Sequence, residues 1–235
     1  MESIAIIPAR GGSKRIPRKN IKIFLGEYVI SRAIQCAQAS GLFTQIVVST
    51  DDQEIADISR SHGAEVPFIR DSDLSDDHTT TVDVIADAII NIQKLNSVPE
   101  LVCCIYPVTP LLQSSRLMEA KDLLITEGWD FVFAALEFES PIERSFRKGI
   151  TGRVTFGDDN FVNTRTQDFE SSYHDAGQFY YGRKEAWISK SPVLTGNSSF
   201  IQLNKHEVID IDTEEDWALA EYIFNARNSS KNFLD

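Results

Sequence analysis

The sequence has little sulfur and no feature built on it. Only Cys36, Cys103 and Cys104 occur in 235 residues, an odd set that no complete disulfide framework would use. No CxxC pair and no Cys/His spacing for zinc is present. Two of the thiols are adjacent in an apolar stretch, which suits reduced, buried side chains and a cytoplasmic setting. No run approaches the ~18 apolar residues of a membrane span. A charged segment followed by an apolar core is absent at the start, so no signal peptide is expected. Neither G-x-x-x-x-G-K-[ST] nor G-x-G-x-x-G occurs, which excludes a P-loop and argues against a Rossmann-type dehydrogenase. Positive charge is scarce: 23 Lys and Arg stand against 35 Asp and Glu, a net charge of -12. That balance argues against nucleic acid or an anionic membrane as the main partner. No internal repeat or low-complexity segment appears.

What is there is an alternation of strand and helix patterns, of a length that suits one domain. Apolar strands are expected at 3–8, 45–49, 65–69, 101–106 and 130–136. Amphipathic helices are expected at 28–40, 51–62, 79–95 and 114–127. Continuous apolar strands between such helices imply an α/β fold, a mainly parallel sheet with helices on both faces. The rhythm breaks after Leu136. Residues 138–175 hold Pro141, three glycines and an Asp-Asp-Asn turn at 158–160. They read as an irregular arm or flap with a hairpin, inserted into a single domain of 1–235. Order returns with strands at 178–181 and 208–211 and a helix at 213–226. Asp212 is expected to cap that helix, with Glu215 three residues on. Residues 228–235 are expected to fray.

The densest charge feature follows the first strand. Arg10, Lys14, Arg15, Arg18, Lys19 and Lys22 lie in one stretch with no acid among them. Gly11 and Gly12 let backbone N–H groups turn toward an anion, and Pro17 stiffens the loop. Open α/β sheets bind ligands at such strand ends, so the loop reads as a polyphosphate cradle rather than a solvated turn. Asp210-Ile211-Asp212 is the second feature. Residues two apart in a strand share a side, so both carboxylates would face one hard cation. Taken alone, the pair reads equally well as Asp212 capping the next helix; beside a polyphosphate loop the cation reading is preferred. A third group is polar and flanked by aromatics: Asn163 to Asp168, and Tyr173-His174-Asp175-Ala176-Gly177-Gln178-Phe179-Tyr180-Tyr181. Arg165 and Arg144 are suited to gripping a planar carboxylate, although each also reads as a surface or dimer contact.

Together these elements resemble the CMP-sugar synthetase family, cytidylyltransferases that activate nine-carbon nonulosonic acids such as sialic acid. The family's A-R-x-x-S-K-x-x-P-x-K-N is matched by Ala9, Arg10, Ser13, Lys14, Pro17, Lys19 and Asn20. Its D-I-D-T is matched by Asp210 to Thr213, and its S-T-D by Ser49-Thr50-Asp51. Sialic acid members carry Gln where this chain has Tyr106, and R-P-N-G near His174-Asp175-Ala176-Gly177. On both counts the chain is similar to the pseudaminic acid branch. The resemblance implies a nucleotidyltransferase that moves CMP from CTP to the anomeric hydroxyl of pseudaminic acid, with pyrophosphate as the other product. Legionaminic or N-acetylneuraminic acid is the alternative acceptor, and a non-catalytic nucleotide-sugar binding module the alternative class. It also implies roles. Arg10, Lys14 and Lys19 would act on the phosphates, and Asn20, Arg70 and Thr79 would contact the nucleotide. Asp210 and Asp212 would hold Mg2+. Tyr106, Arg165, His174, Asp175 and Gln178 would face the sugar acid, with Arg144 reaching it from the arm of a homodimer.

Overall fold

Alternating side chains along the apolar strands bury both faces of one sheet. The computed structural model describes residues 1–76, 79–157, 161 and 163–231. In chain order it comprises β1 (Ser3–Pro8), β2 (Ile23–Phe24), β3 (Glu27–Tyr28), α1 (Val29–Ser40), β4 (Phe43–Ser49), α2 (Gln53–Ser61), α3 (Thr81–Gln93), β5 (Leu101–Ile105) and α4 (Ser114–Glu127). Then come β6 (Phe131–Glu137), β7 (Phe146–Lys148), β8 (Val154–Phe156), β9 (Tyr173–Arg183), α5 (Lys184–Ile188), β10 (Ser198–Gln202) and α6 (Glu214–Lys231). Six strands form a sheet in the order β10-β6-β9-β5-β1-β4. On one face Ala5, Ile7, Leu101, Cys103 and Ile105 pack against Ile30, Ala33 and Ile34 of α1 and Leu117, Ala120 and Leu124 of α4. On the other, Ile4, Ile6, Val102 and Cys104 meet Ile85, Ala88, Ile89 and Ile92 of α3 and Trp187 of α5. The period of two along β1 and β5 accounts for both layers. All three cysteines are free thiols.

The sheet is parallel except for β9, which runs antiparallel between β5 and β6. Its expected span of 178–181 proves much too short. β9 begins at the polar Tyr173 and has a register shift against β6, where Gly177 adopts a φ of 62°. A left-handed residue there is natural for glycine and marks a bulge. No strand forms at 65–69. A single bridge joins Val47 and Glu65, and Pro67 then lacks the N–H that would extend it. The expected strand at 208–211 is absent too, because β10 takes the place beside β6. β10 and the five-residue α5 went unforeseen: one is polar at an edge, the other too short for a helical period.

The arm contains the expected hairpin, β7 paired with β8. The turn at 158–160 lies outside the described residues. α6 begins one residue later than expected, and Thr213 rather than Asp212 caps it: Thr213 Oγ1 accepts from the N–H of Asp216 at 3.2 Å. The helix also continues through 228–231, which were expected to fray. Among the described residues no helix is long and apolar enough to cross a membrane.

Candidate active site

The basic loop and the Asp210–Asp212 segment are far apart in sequence, and an apolar cluster draws them together. Ile16, 1% exposed, sits between Arg15 and Pro17; Ile211, 2% exposed, sits between the two aspartates. Both are buried with Phe24, Val29, Trp217 and Ala220. Burying the central Ile211 turns both flanking carboxylates to the same side without any strand. They face the C-terminal edge of the sheet, where Pro8 ends β1 and Tyr106 follows β5.

Between these segments lies a cavity of about 450 Å3. Its walls carry Arg10, Lys14, Arg15 and Lys19, with Asn20, Arg70, Thr79 and Tyr106, and both Asp210 and Asp212. Four of the six loop cations therefore face one space. The other two are structural. Arg18, at a φ of 55°, donates to both Asp52 oxygens at 2.5 and 3.0 Å and to Glu54 at 2.5 Å. That guanidinium holds the Asp52 carboxyl below the usual range. Lys22 pairs with Glu214 and lies 4.6 Å over the Trp217 ring.

Gly11 acts differently from expectation. The Gly11 N–H is taken by the protein's own carboxylate: it donates to Asp51 Oδ1 at 2.9 Å. A side chain at Gly11 would meet Asp52 Oδ2 at 2.7 Å, so the residue is needed for close approach rather than for an unusual φ. Asn20 is buried and its amide donates to the Arg10 carbonyl at 2.8 Å, closing the loop on itself.

Arg70 is buried behind the loop, with Nε on Ser75 Oγ at 3.1 Å and Nη2 3.8 Å from Asp51. Burial first, and then the nearby Arg10 charge, lower its pKa against the pull of Asp51. Thr79 donates its N–H and hydroxyl to Asp76 Oδ1, each at 2.7 Å, and Arg10 donates to the Asp76 carbonyl at 2.8 Å. Asp76 and Thr81 line the cavity and were not anticipated. Thr81 follows the Thr80 cap of α3, a signal that was legible.

Lys19 Nζ donates to the Ile211 carbonyl at 2.6 Å and lies 3.5 Å from Asp212, which also pairs with Arg15. Burial, and then the Asp212 charge, raise the Asp210 carboxyl above its ordinary value. Two close carboxylates, one disfavoured as an anion, form a donor set that fits a hard divalent cation. No group of three or more Asp, Glu, His or Cys suited to a metal occurs among the described residues. Any cation here would therefore take its other ligands from substrate and water.

The residues expected to face the sugar divide. Tyr106 lines the cavity; its hydroxyl bonds Thr81 Oγ1 at 2.8 Å, and its ring meets Tyr180 edge-on at 5.5 Å. The Tyr180 hydroxyl donates to Asp175 Oδ2. Asp175 and His174 line an adjacent hollow of about 380 Å3 with Phe133, Tyr173 and Phe200. The Tyr106–Tyr180 pair thus joins two spaces, and burial raises both phenol pKa values. Gln178 lies in neither space: its buried amide donates to the Glu207 carbonyl at 2.7 Å. Arg165 is exposed and paired with Asp168 at 2.9 Å. Arg144 stands on the arm and donates to the Thr164 carbonyl at 2.7 Å. Neither arginine lines either space.

A family model described as cytidylyltransferase matches residues 4–204, a span that includes the basic loop. The pseudaminic acid cytidylyltransferase of Campylobacter jejuni is 41% identical over 230 residues, 98% of this chain and 99% of that one. The CMP-N,N'-diacetyllegionaminic acid synthase of Legionella pneumophila is 31% identical over 94% of this chain and 95% of that one. A solved CMP:2-keto-3-deoxy-manno-octonic acid synthetase complexed with CTP superposes with a TM-score of 0.72 at 12% identity. It covers 97% of this chain and 100% of that one, and shows a shared fold.

Proposed function

The chain belongs to the cytidylyltransferase family, and from that membership we propose that it transfers CMP from CTP to the anomeric hydroxyl of pseudaminic acid, releasing pyrophosphate. One observation carries the chemistry: four loop cations and two carboxylates converge on one cavity at the C-terminal edge of the sheet. The 41% identity to a pseudaminic acid enzyme, end to end, supports the acceptor.

In this reading Arg10, Lys14 and Lys19 hold the triphosphate and neutralise charge as pyrophosphate departs. The loop is closed on itself by Asn20 and anchored by Arg18, so its cations are positioned in advance. Arg70 and Thr79 lie on the wall suited to the nucleotide. Asp210 and Asp212 would hold Mg2+, which would supply charge neutralisation at the phosphates and acidify the attacking hydroxyl. Tyr106 meets the sugar acid where the two spaces join, and Asp175 and His174 face it from the second. Arg165 and Arg144 reach a carboxylate only if their segments move or a second copy brings them near. The arm exposes Ile142, Phe146, Ile150 and Val154, an apolar set that suits a homodimer contact.

The test is pyrophosphate release from CTP with a panel of nonulosonic acids. Pseudaminic acid is expected to be strongly preferred over N-acetylneuraminic acid. Tyr106 replaces an amide with a phenol, and an ionised Asp175 accepts hydrogen bonds without donating any. Tyr106→Gln with Asp175→Asn should narrow the ratio of kcat/KM for the two acids. A wild-type ratio near unity would refute the acceptor assignment. CTP binding without pyrophosphate release would indicate a binding module.

A further inference from the structure

Asp210 and Asp212 lie on a segment that no sheet ladder holds. Lys19 fixes its middle through the Ile211 carbonyl. Its downstream end is fixed by one side chain. Asp216 Oδ2 accepts from the Asp212 N–H at 3.0 Å, the Thr213 N–H at 2.8 Å and the Thr213 hydroxyl at 2.8 Å. An ordinary capping box needs only the reciprocal bonds between the cap and the third helical residue. Thr213 and Asp216 make both. The bond to the Asp212 amide lies one residue further upstream and is surplus to capping.

We propose that Asp216 is a positioning residue for the carboxylate pair: by gripping the Asp212 backbone it turns that carboxylate toward the cavity beside Asp210. This rests on the reading of Asp210 and Asp212 as cation ligands. Partners of metal ligands commonly set affinity in this way. Asp216 itself does not line the cavity.

The test uses Mn2+ as a paramagnetic probe, bound to the full chain without substrate and read by EPR, with thermal melts alongside. Asp216→Ala should weaken Mn2+ binding roughly tenfold or more. Asp216→Asn should stay close to wild type, because its amide oxygen can accept from the same three donors. Steady-state kinetics should show a raised Mg2+ requirement in Asp216→Ala, with the KM for CTP at saturating Mg2+ little changed. A lower melting temperature with unaltered Mn2+ binding in Asp216→Ala would mean that the residue only caps α6, and the proposal falls. Equal losses in the Ala and Asn variants would show that charge matters rather than position, and it falls again. Asp212→Ala is the control. If Asp212→Ala binds Mn2+ like wild type, the cation reading itself is wrong and takes the inference with it.

Discussion

Asp212 had two expected roles, and its neighbours remove one of them. Thr213 does the capping, so Asp212 is left to Arg15, Lys19 and the cavity. Asp210→Ala and Asp212→Ala should each cut turnover by roughly a thousandfold, about 4 kcal/mol of transition-state stabilisation. Asp212→Asn separates the readings: α6 keeps its cap, so the melt should match wild type while turnover collapses. Full activity in that variant would remove Asp212 from the cation site. The loop cations make a parallel case. Arg10→Ala and Lys19→Ala each lose a hydrogen bond to a carbonyl, costing about 1 kcal/mol of stability. Their loss of turnover should be far larger, at least about a hundredfold. Wild-type turnover in both would leave the loop as a solvated surface. Which cations were structural could not be read in advance. Arg18 and Lys22 look like Arg10 and Lys19 until Asp52 and Glu214 are placed beside them.

At the scale of the element, the stretch before Asp210 is anchored by a buried acid. Glu207 accepts from Arg116 Nε and Nη2, each at 2.9 Å, from Gln113 at 2.5 Å and from the Asn204 backbone and amide, each at 2.8 Å. Burial alone would raise this carboxyl. Arg116 and Asn204 outweigh it and bring it from an ordinary 4.5 down to about 2. A depressed carboxyl stabilises the fold above its unfolded value and loses that contribution as pH falls through the folded one. The loss should therefore run from pH 4.5 down to about 2 and amount to something on the order of 3 kcal/mol. Glu207→Gln should be less stable at neutral pH, and its acid-unfolding curve should flatten over that window. Equal pH dependence in both proteins would refute the assignment. Most helices were legible because their apolar residues recur on one face and their ends carry Gly41 and Gly128. The segment at 208–211 was misread as a strand for a physical reason. Alternating burial looks the same whether the neighbour is a strand or, as here, the side of α6 and the loop.

At the scale of the molecule, the arm leaves Phe146 65% exposed and Ile150 fully exposed, with Ile142 and Val154 of the same arm also exposed. A homodimer through this hairpin should appear as a doubled mass in sedimentation equilibrium. Phe146→Ser with Ile150→Ser should shift it to monomer while leaving the melt of the core intact. A wild-type monomer at micromolar concentration would end the dimer proposal. The antiparallel β9 is the other feature of this scale. It carries both Asp175 and Tyr180, and so places the residues that stand between the two spaces.

The strands β1, β4, β5 and β6, the long helices, the basic loop and the paired aspartates were determined by local rules: apolar period, glycine at helix ends and clustered charge. Those rules act over a few residues and survive without a fold. Tertiary structure alone decided which cations face the cavity, that Thr213 frees Asp212 from capping, and that Gln178 donates to the Glu207 carbonyl and lines neither space. It also left Arg144 and Arg165 outside both spaces. Each of these depends on a partner remote in the chain, such as Asp52 for Arg18 or Glu207 for Gln178. Burial of Ile16 and Ile211 in one cluster, with Lys19 and Arg15 reaching across to Ile211 and Asp212, brings the loop and the aspartates together.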